Sequence, residues 1–178
     1  MEAEIREGNN PALTAELGQM FAVDQEIRNR RHKAAPEDEA DWADQVRRID
    51  NANTQRLKEI IAEYGWPTLS LAGTYGEEAA WVIAQHADRD VAFQRECLLL
   101  LEAAVQKGDA KPDHLAYLTD RVLTNEGRPQ IYGTQHFVDG EGRYGPRPIK
   151  DGANVDARRQ QMGMNSLKEY QEWMASLP

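Results

Sequence analysis

A single cysteine, Cys97, stands among 178 residues. No internal disulfide can form, and no cysteine–histidine cluster exists for a structural zinc. The four histidines make no His-x-His, His-Glu-x-x-His or Glu-x-x-His pattern, so metal-ligand spacing is missing as well. No apolar run approaches the ~18 residues that a membrane span requires. Lys and Arg are in deficit, 21 against 30 acidic residues for a net charge of −9. That balance argues against a nucleic-acid groove and against an anionic membrane surface, both of which need clustered cations. The opening MEAEIREGNN lacks an apolar signal core, and the expected location is the cytoplasm. With 40% hydrophobic and 29% charged residues the chain is globular in composition, and its length suits a single domain over 1–178.

Hydrophobic spacing predicts mostly helices. Leu13, Leu17, Met20, Asp24 and Ile27 recur at helical intervals after Pro11, which predicts a first helix over about 11–32. The polar stretch from His32 to Glu39, with Pro36 inside it, reads as a connection. A second helix carries Trp42, Val46, Ile49, Asn53, Leu57 and Ile60 on one stripe and stops at Tyr64-Gly65-Trp66-Pro67, where Gly caps and Pro forbids continuation. After a loop through Gly73, a third helix is expected at about 76–88 and a fourth at about 90–107. The fourth helix carries Phe93, Cys97, Leu100, Leu101 and Ala104 on one face, broadened by Leu98 and Leu99, so it is expected to be the central and most buried one. Pro112 opens a fifth, about 112–125. Gln130 to Val138, the Asp139-Gly140 turn and Arg143 to Ile149 predict a hairpin at about 130–149, with Pro146 and Pro148 suited to an edge strand. Short helices near 154–162 and 166–176 complete the chain. The expected fold is mainly α: a compact bundle of about five helices over 11–127, a small β-hairpin, and short C-terminal helices over 154–176.

Two motifs carry less than they suggest. Gly140 to Gly145 has the G-x-G-x-x-G spacing, but Pro-Arg-Pro follows where a phosphate-binding helix would have to begin. Cys97 lies between apolar neighbours with no base beside it, and reads as a small core residue.

The more informative pattern is where apolar stripes are broken. Asp24 stands between Met20 and Ile27; Asn53 stands between Ile49 and Leu57, with Asp50 one row away. His86 continues the Ala79–Val82–Ile83 face, and Asp120 lies four after Ala116 and three before Leu123. Burying a polar group unpaired costs a few kcal/mol, and an unpaired charge more. Groups aimed inward from several helices are therefore expected to meet one another, or a ligand, in one pocket. Taken singly, each also has a plain reading as a hydrogen-bonded core residue or an Asp–Arg brace.

Five ordered blocks add a resemblance: Gly65-Trp66-Pro67, Ala79-Ala80-Trp81, Gln85-His86-Ala87-Asp88, Leu115 to Leu118 with Asp120-Arg121-Val122, and Gly127 to Gln135. Over about 11–172 the chain resembles a bacterial, often actinobacterial, domain-of-unknown-function family. The resemblance implies a helical bacterial protein, sometimes encoded beside natural-product genes, and implies no catalytic assignment. His136 departs from the pattern. The blocks coincide with the broken stripes at His86, Asp120 and Arg121, and add Gln85, Gln130, Tyr132 and Gln135 as neutral hydrogen-bonding groups suited to orienting a polar ligand.

The expected function is an enzyme that processes a small polar metabolite by acid–base chemistry, through hydrolysis, dehydration or isomerisation. His86, Asp120 and Asp24 are the catalytic candidates; Asn53, Gln85, Arg121, Gln130, Tyr132 and Gln135 are the substrate-binding ones. Imidazole suits this work because it titrates near neutrality. No cofactor is expected; the weaker alternative is a divalent metal on His86 with Asp24, Asp88 or Asp120. A non-catalytic ligand- or protein-binding module is the alternative function.

Overall fold

The computed structural model describes residues 5–30, 39–138, 140 and 144–176. The connection expected around Pro36, the turn residue Asp139 and most of the glycine-spaced stretch at 141–143 fall outside them. Among the described residues the fold is mainly α, with seven α-helices and one two-stranded antiparallel sheet. Two compact units divide the chain, Met1–Ala110 and Lys111–Pro178.

The first unit holds α1 (Pro11–Asn29), α2 (Glu39–Tyr64), α3 (Leu69–His86) and α4 (Val91–Gln106). Helices α1, α2 and α3 pack on one another, and α4 packs on α3. Local chemistry sets their ends. Asn10 accepts the N–H of Leu13 ahead of Pro11, and Thr68 and Asp90 likewise cap α3 and α4, satisfying helix donors that have no partner within the helix. Leu17, Leu57, Ile60 and Ile83 are fully buried between the helices, each worth about 1.5–3 kcal/mol relative to exposure.

Helix α3 departs from expectation at both its start and its rank. It begins at Leu69 rather than near residue 76, and kinks at Gly73, whose φ of 70° and ψ of 178° are not helical. Only glycine adopts that conformation readily. The carbonyls freed by the kink find other donors: Asn9 and Asn10 N–H reach Ser70 and Leu71 O at 2.9 and 3.0 Å, and the Thr14 hydroxyl reaches Ala72 O at 2.9 Å. Helix α3, not α4, is the most buried: nine of its 18 residues are buried against five of 16 in α4. Its alanines and glycines let neighbouring helices approach on several sides, whereas Leu99 of α4 remains 62% exposed.

The second unit contains α5 (Pro112–Asn125), β1 (His136–Val138), β2 (Tyr144–Pro146), a 3-10 turn at Gly152–Asn154, α6 (Val155–Gln161) and α7 (Leu167–Ala175). The strands pair with His136 opposite Pro146. The expected first strand is much shorter than 130–138: residues 131–135 form a turn and loop, and Gln130 makes only an isolated bridge to Ile149. The physical reason is competition for the backbone. Asp120, fully buried on α5, accepts the N–H groups of Ile131 and Tyr132 on Oδ1 at 2.7 and 3.0 Å, and that of Thr134 on Oδ2 at 2.9 Å. From the other side Arg158 Nε donates to Ile131 O and Arg159 Nη1 to Tyr132 O, at 3.0 and 2.8 Å. An anion that collects amides and cations that collect carbonyls hold this loop against its own tendency to pair as a strand.

Candidate functional site

Asp24 on α1 and His86 at the end of α3 meet, 62 positions apart in sequence. Asp24 Oδ1 lies 2.8 Å from His86 Nδ1, and the Asp24 side chain is only 1% exposed. A carboxylate only accepts, so in the tautomer that makes this bond Nδ1 carries a proton, and Nε2 is the ring nitrogen not engaged by Asp24. Nε2 has no hydrogen-bond partner among the described residues, and His86 borders a polar cleft of about 220 Å³. The cleft is lined also by Asp50, Asn51, Thr54, Gln55 and Lys58 of α2 and by Arg89 and Asp90. Lys58 and Asp90 form an ion pair at 2.6 Å across its wall.

Arg28, one turn after Asp24 on α1, organises this corner. Its Nε lies 3.2 Å from Asp24 Oδ1 and 3.1 Å from His86 Nδ1, and its Nη2 is ion-paired to Asp50 Oδ1. The two carboxylates respond in opposite directions. Burial works against ionisation of Asp24, but the hydrogen bond and charge of His86, then those of Arg28, hold its pKa below the ordinary value. For Asp50 burial prevails, with the Asp24 and Asp88 charges adding to it, and its pKa is raised despite Arg28 and His86. Two neighbouring carboxylates pushed in opposite directions in this way are suited to different duties.

The same groups bear on metal binding. Asp24, Asp50 and His86 offer ligand atoms all within 4.8 Å of one another. Arg28 already donates to both carboxylates, so a divalent ion on this cluster would have to displace its guanidinium. The Asp88 and Asp120 ligands expected beside His86 are not in this cluster: Asp88 is exposed, and both Asp120 oxygens are taken by loop donors.

The other sequence candidates divide between the units. In the first, Asn53 is half-buried and reaches the Met20 carbonyl at 3.5 Å, fastening α2 to α1. Gln85 is buried, with its side-chain Nε2 unpartnered among the described residues. In the second, Asp120 also accepts the Thr134 hydroxyl at 3.0 Å. Gln130 is fully buried; its Nε2 donates to the carbonyls of Gln135 and Arg147, and its Oε1 accepts Gln135 N–H. Arg121 Nη1 donates to Gln135 Oε1 at 3.0 Å. Tyr132 contributes its backbone N–H to Asp120 and its carbonyl to Arg159. Asp120, Gln130 and Gln135 thus form a network that shapes a loop, while Asp24 and His86 form one that opens onto a cleft.

Arg28 and Asp50 are site residues that the sequence reading did not select. Asp50 lay one row from the stripe break at Asn53. Arg28 carried no signal beyond its i,i+4 relation to Asp24, which resembles any exposed helical ion pair. Cys97 is buried and its thiol pKa is pushed up by burial, unsuited to nucleophilic work. No helix among the described residues is long and apolar enough to cross a membrane.

No curated protein and no solved structure matches the chain. A family model does match residues 11–176, and by that match the chain belongs to the family of unknown function designated DUF6624.

Proposed function

We propose that the cleft beside His86 is the active site of an enzyme that moves protons on a small polar molecule without a metal. The observation that carries the reading is the 2.8 Å contact between buried Asp24 and Nδ1 of His86, a residue that lines the cleft. In this reading Nε2 takes a proton from the bound molecule, and the ionised Asp24 stabilises the imidazolium that forms. Asp50, within 4.8 Å of the same cluster, supplies or receives the second proton. Asn51, Thr54 and Gln55 orient polar groups of the substrate by hydrogen bonds, and the Lys58–Asp90 pair belongs to the lining of the cleft. Hydrolysis, dehydration and isomerisation all use such an acid and base. Asp120, Gln130, Tyr132 and Gln135 support the second unit's loop and take no chemical step here.

The test is substitution of His86 by Gln, which keeps comparable volume and a hydrogen-bonding side chain but removes the titratable ring. Wild-type protein and H86Q are each incubated with a metabolite extract, and the change is followed by untargeted mass spectrometry. Metabolites consumed by the wild type and untouched by a folded H86Q support the reading. An identical profile for both proteins overturns it.

A further inference from the structure

Arg159, on α6 of the second unit, is a buried cation that forms no ion pair among the described residues, although the charges of Asp156 and Asp120 act on it from farther away. It is only 1% exposed. Nε donates to Asn165 O at 2.6 Å and Nη1 to Tyr132 O at 2.8 Å, and its guanidinium carbon sits 4.9 Å from the centre of the Tyr170 ring. Nη2 makes no hydrogen bond among the described residues, and none of their carboxylates stands at ion-pair distance. Guanidinium cannot shed its proton to escape burial, so the charge persists where it is poorly solvated. Burial disfavours it accordingly, holding the Arg159 pKa below the ordinary value.

Arg159 borders a pocket of about 250 Å³ whose lining includes Tyr117, Tyr170, Trp173, Asn165 and Met164. This is below the ~300–1,000 Å³ typical of sites for drug-sized ligands and suits a small metabolite. A half-buried carboxylate lines the same space. Asp113, in the first turn of α5, accepts the neighbouring His114 N–H at 3.1 Å and has no cationic partner among the described residues. The two groups are not paired with each other. A simple oxyanion drawn to Arg159 would meet the Asp113 charge, and a simple cation would meet Arg159. A molecule carrying both signs meets both, and the aromatic walls favour an ammonium near their faces.

We propose that this pocket binds a small zwitterion of the amino-acid class, its carboxylate on Arg159 and its ammonium toward Asp113, between Tyr117, Tyr170 and Trp173. The site is independent of the His86 cleft; one reading can fail without the other.

The test follows the indole N–H resonance of Trp173, assigned with W173F, in the full chain at constant ionic strength. The twenty amino acids are titrated singly, with acetate, methylammonium and inorganic phosphate in separate arms. At least one amino acid is expected to give a saturable shift in the millimolar range or below, with the three single-charge probes at least about ten-fold weaker. Asp113→Asn keeps an oxygen for the His114 N–H and preserves the fold, and it should bring the amino acid and acetate to similar affinity. No saturable shift with any amino acid, acetate or phosphate binding as tightly as the best of them, or an Asp113→Asn protein that keeps the wild-type preference, overturns the proposal.

Discussion

Asp120→Asn is the most demanding test of the loop architecture, because it changes one atom and no volume. In the native protein Oδ1 serves Ile131 and Tyr132, while Oδ2 serves the Thr134 N–H and hydroxyl. Asn retains one acceptor. If its oxygen stays with Ile131 and Tyr132, its NH₂ confronts the Thr134 N–H, and Thr134 is only 5% exposed, too buried for water to take over. One orphaned donor costs about 1–3 kcal/mol, and each remaining bond loses about 1 kcal/mol when its acceptor is no longer charged. The sum is about 4 kcal/mol. With a urea slope of about 2 kcal/mol/M the midpoint should fall by about 2 M. The assay is urea unfolding followed by circular dichroism and tryptophan fluorescence. A midpoint within roughly 0.5 M of wild type, combined with loss of turnover, would refute the bracing role and return Asp120 to the chemistry.

Three further outcomes follow from the first unit. Trp66 is 5% exposed at the turn after α2, and Trp66→Ala should cost on the order of 3 kcal/mol; Trp66→Phe should cost far less in the same denaturation assay, because the indole N–H has no partner to lose. Gly73→Ala would force φ 70° on an L-residue and place a Cβ 2.7 Å from Arg6 O, so calorimetry should show a loss of at least about 2 kcal/mol. Asp24 has a lowered pKa in the folded state, so its ionisation stabilises the fold above the unfolded value near 3.9, and that contribution is lost as pH falls through the folded pKa. The stability gap between wild type and Asp24→Asn should therefore be widest near neutrality and shrink on acidification, and a pH-independent gap would contradict the assigned ion pairs.

Much of the fold was legible because helical periodicity is a local property. Pro11, the Gly65-Trp66-Pro67 stop and Pro112 mark boundaries that the structure keeps. The start of α3 was hidden, since Gly73 reads as a loop residue and only the backbone of residues 6–10 and the Thr14 hydroxyl make a kinked helix affordable there. The first strand is shorter than its residues suggest for a similar reason. Its β-type residues express a preference for extended backbone, but a buried carboxylate on α5 outcompetes the ladder for their N–H groups.

For the site, the inward direction of Asp24 and Asp120 and the placing of His86 on an apolar face follow from helical periodicity alone. Packing settles whom each one meets. Asp24 found a ring nitrogen 62 positions away, Asp120 found three amides 11 to 14 positions on, and Arg28 joined the first group from what looked like a helix surface. Inward direction is set by the 3.6-residue period of one helix. Partnership depends on how helices are juxtaposed, and that is settled by packing across the whole core, which no local pattern encodes.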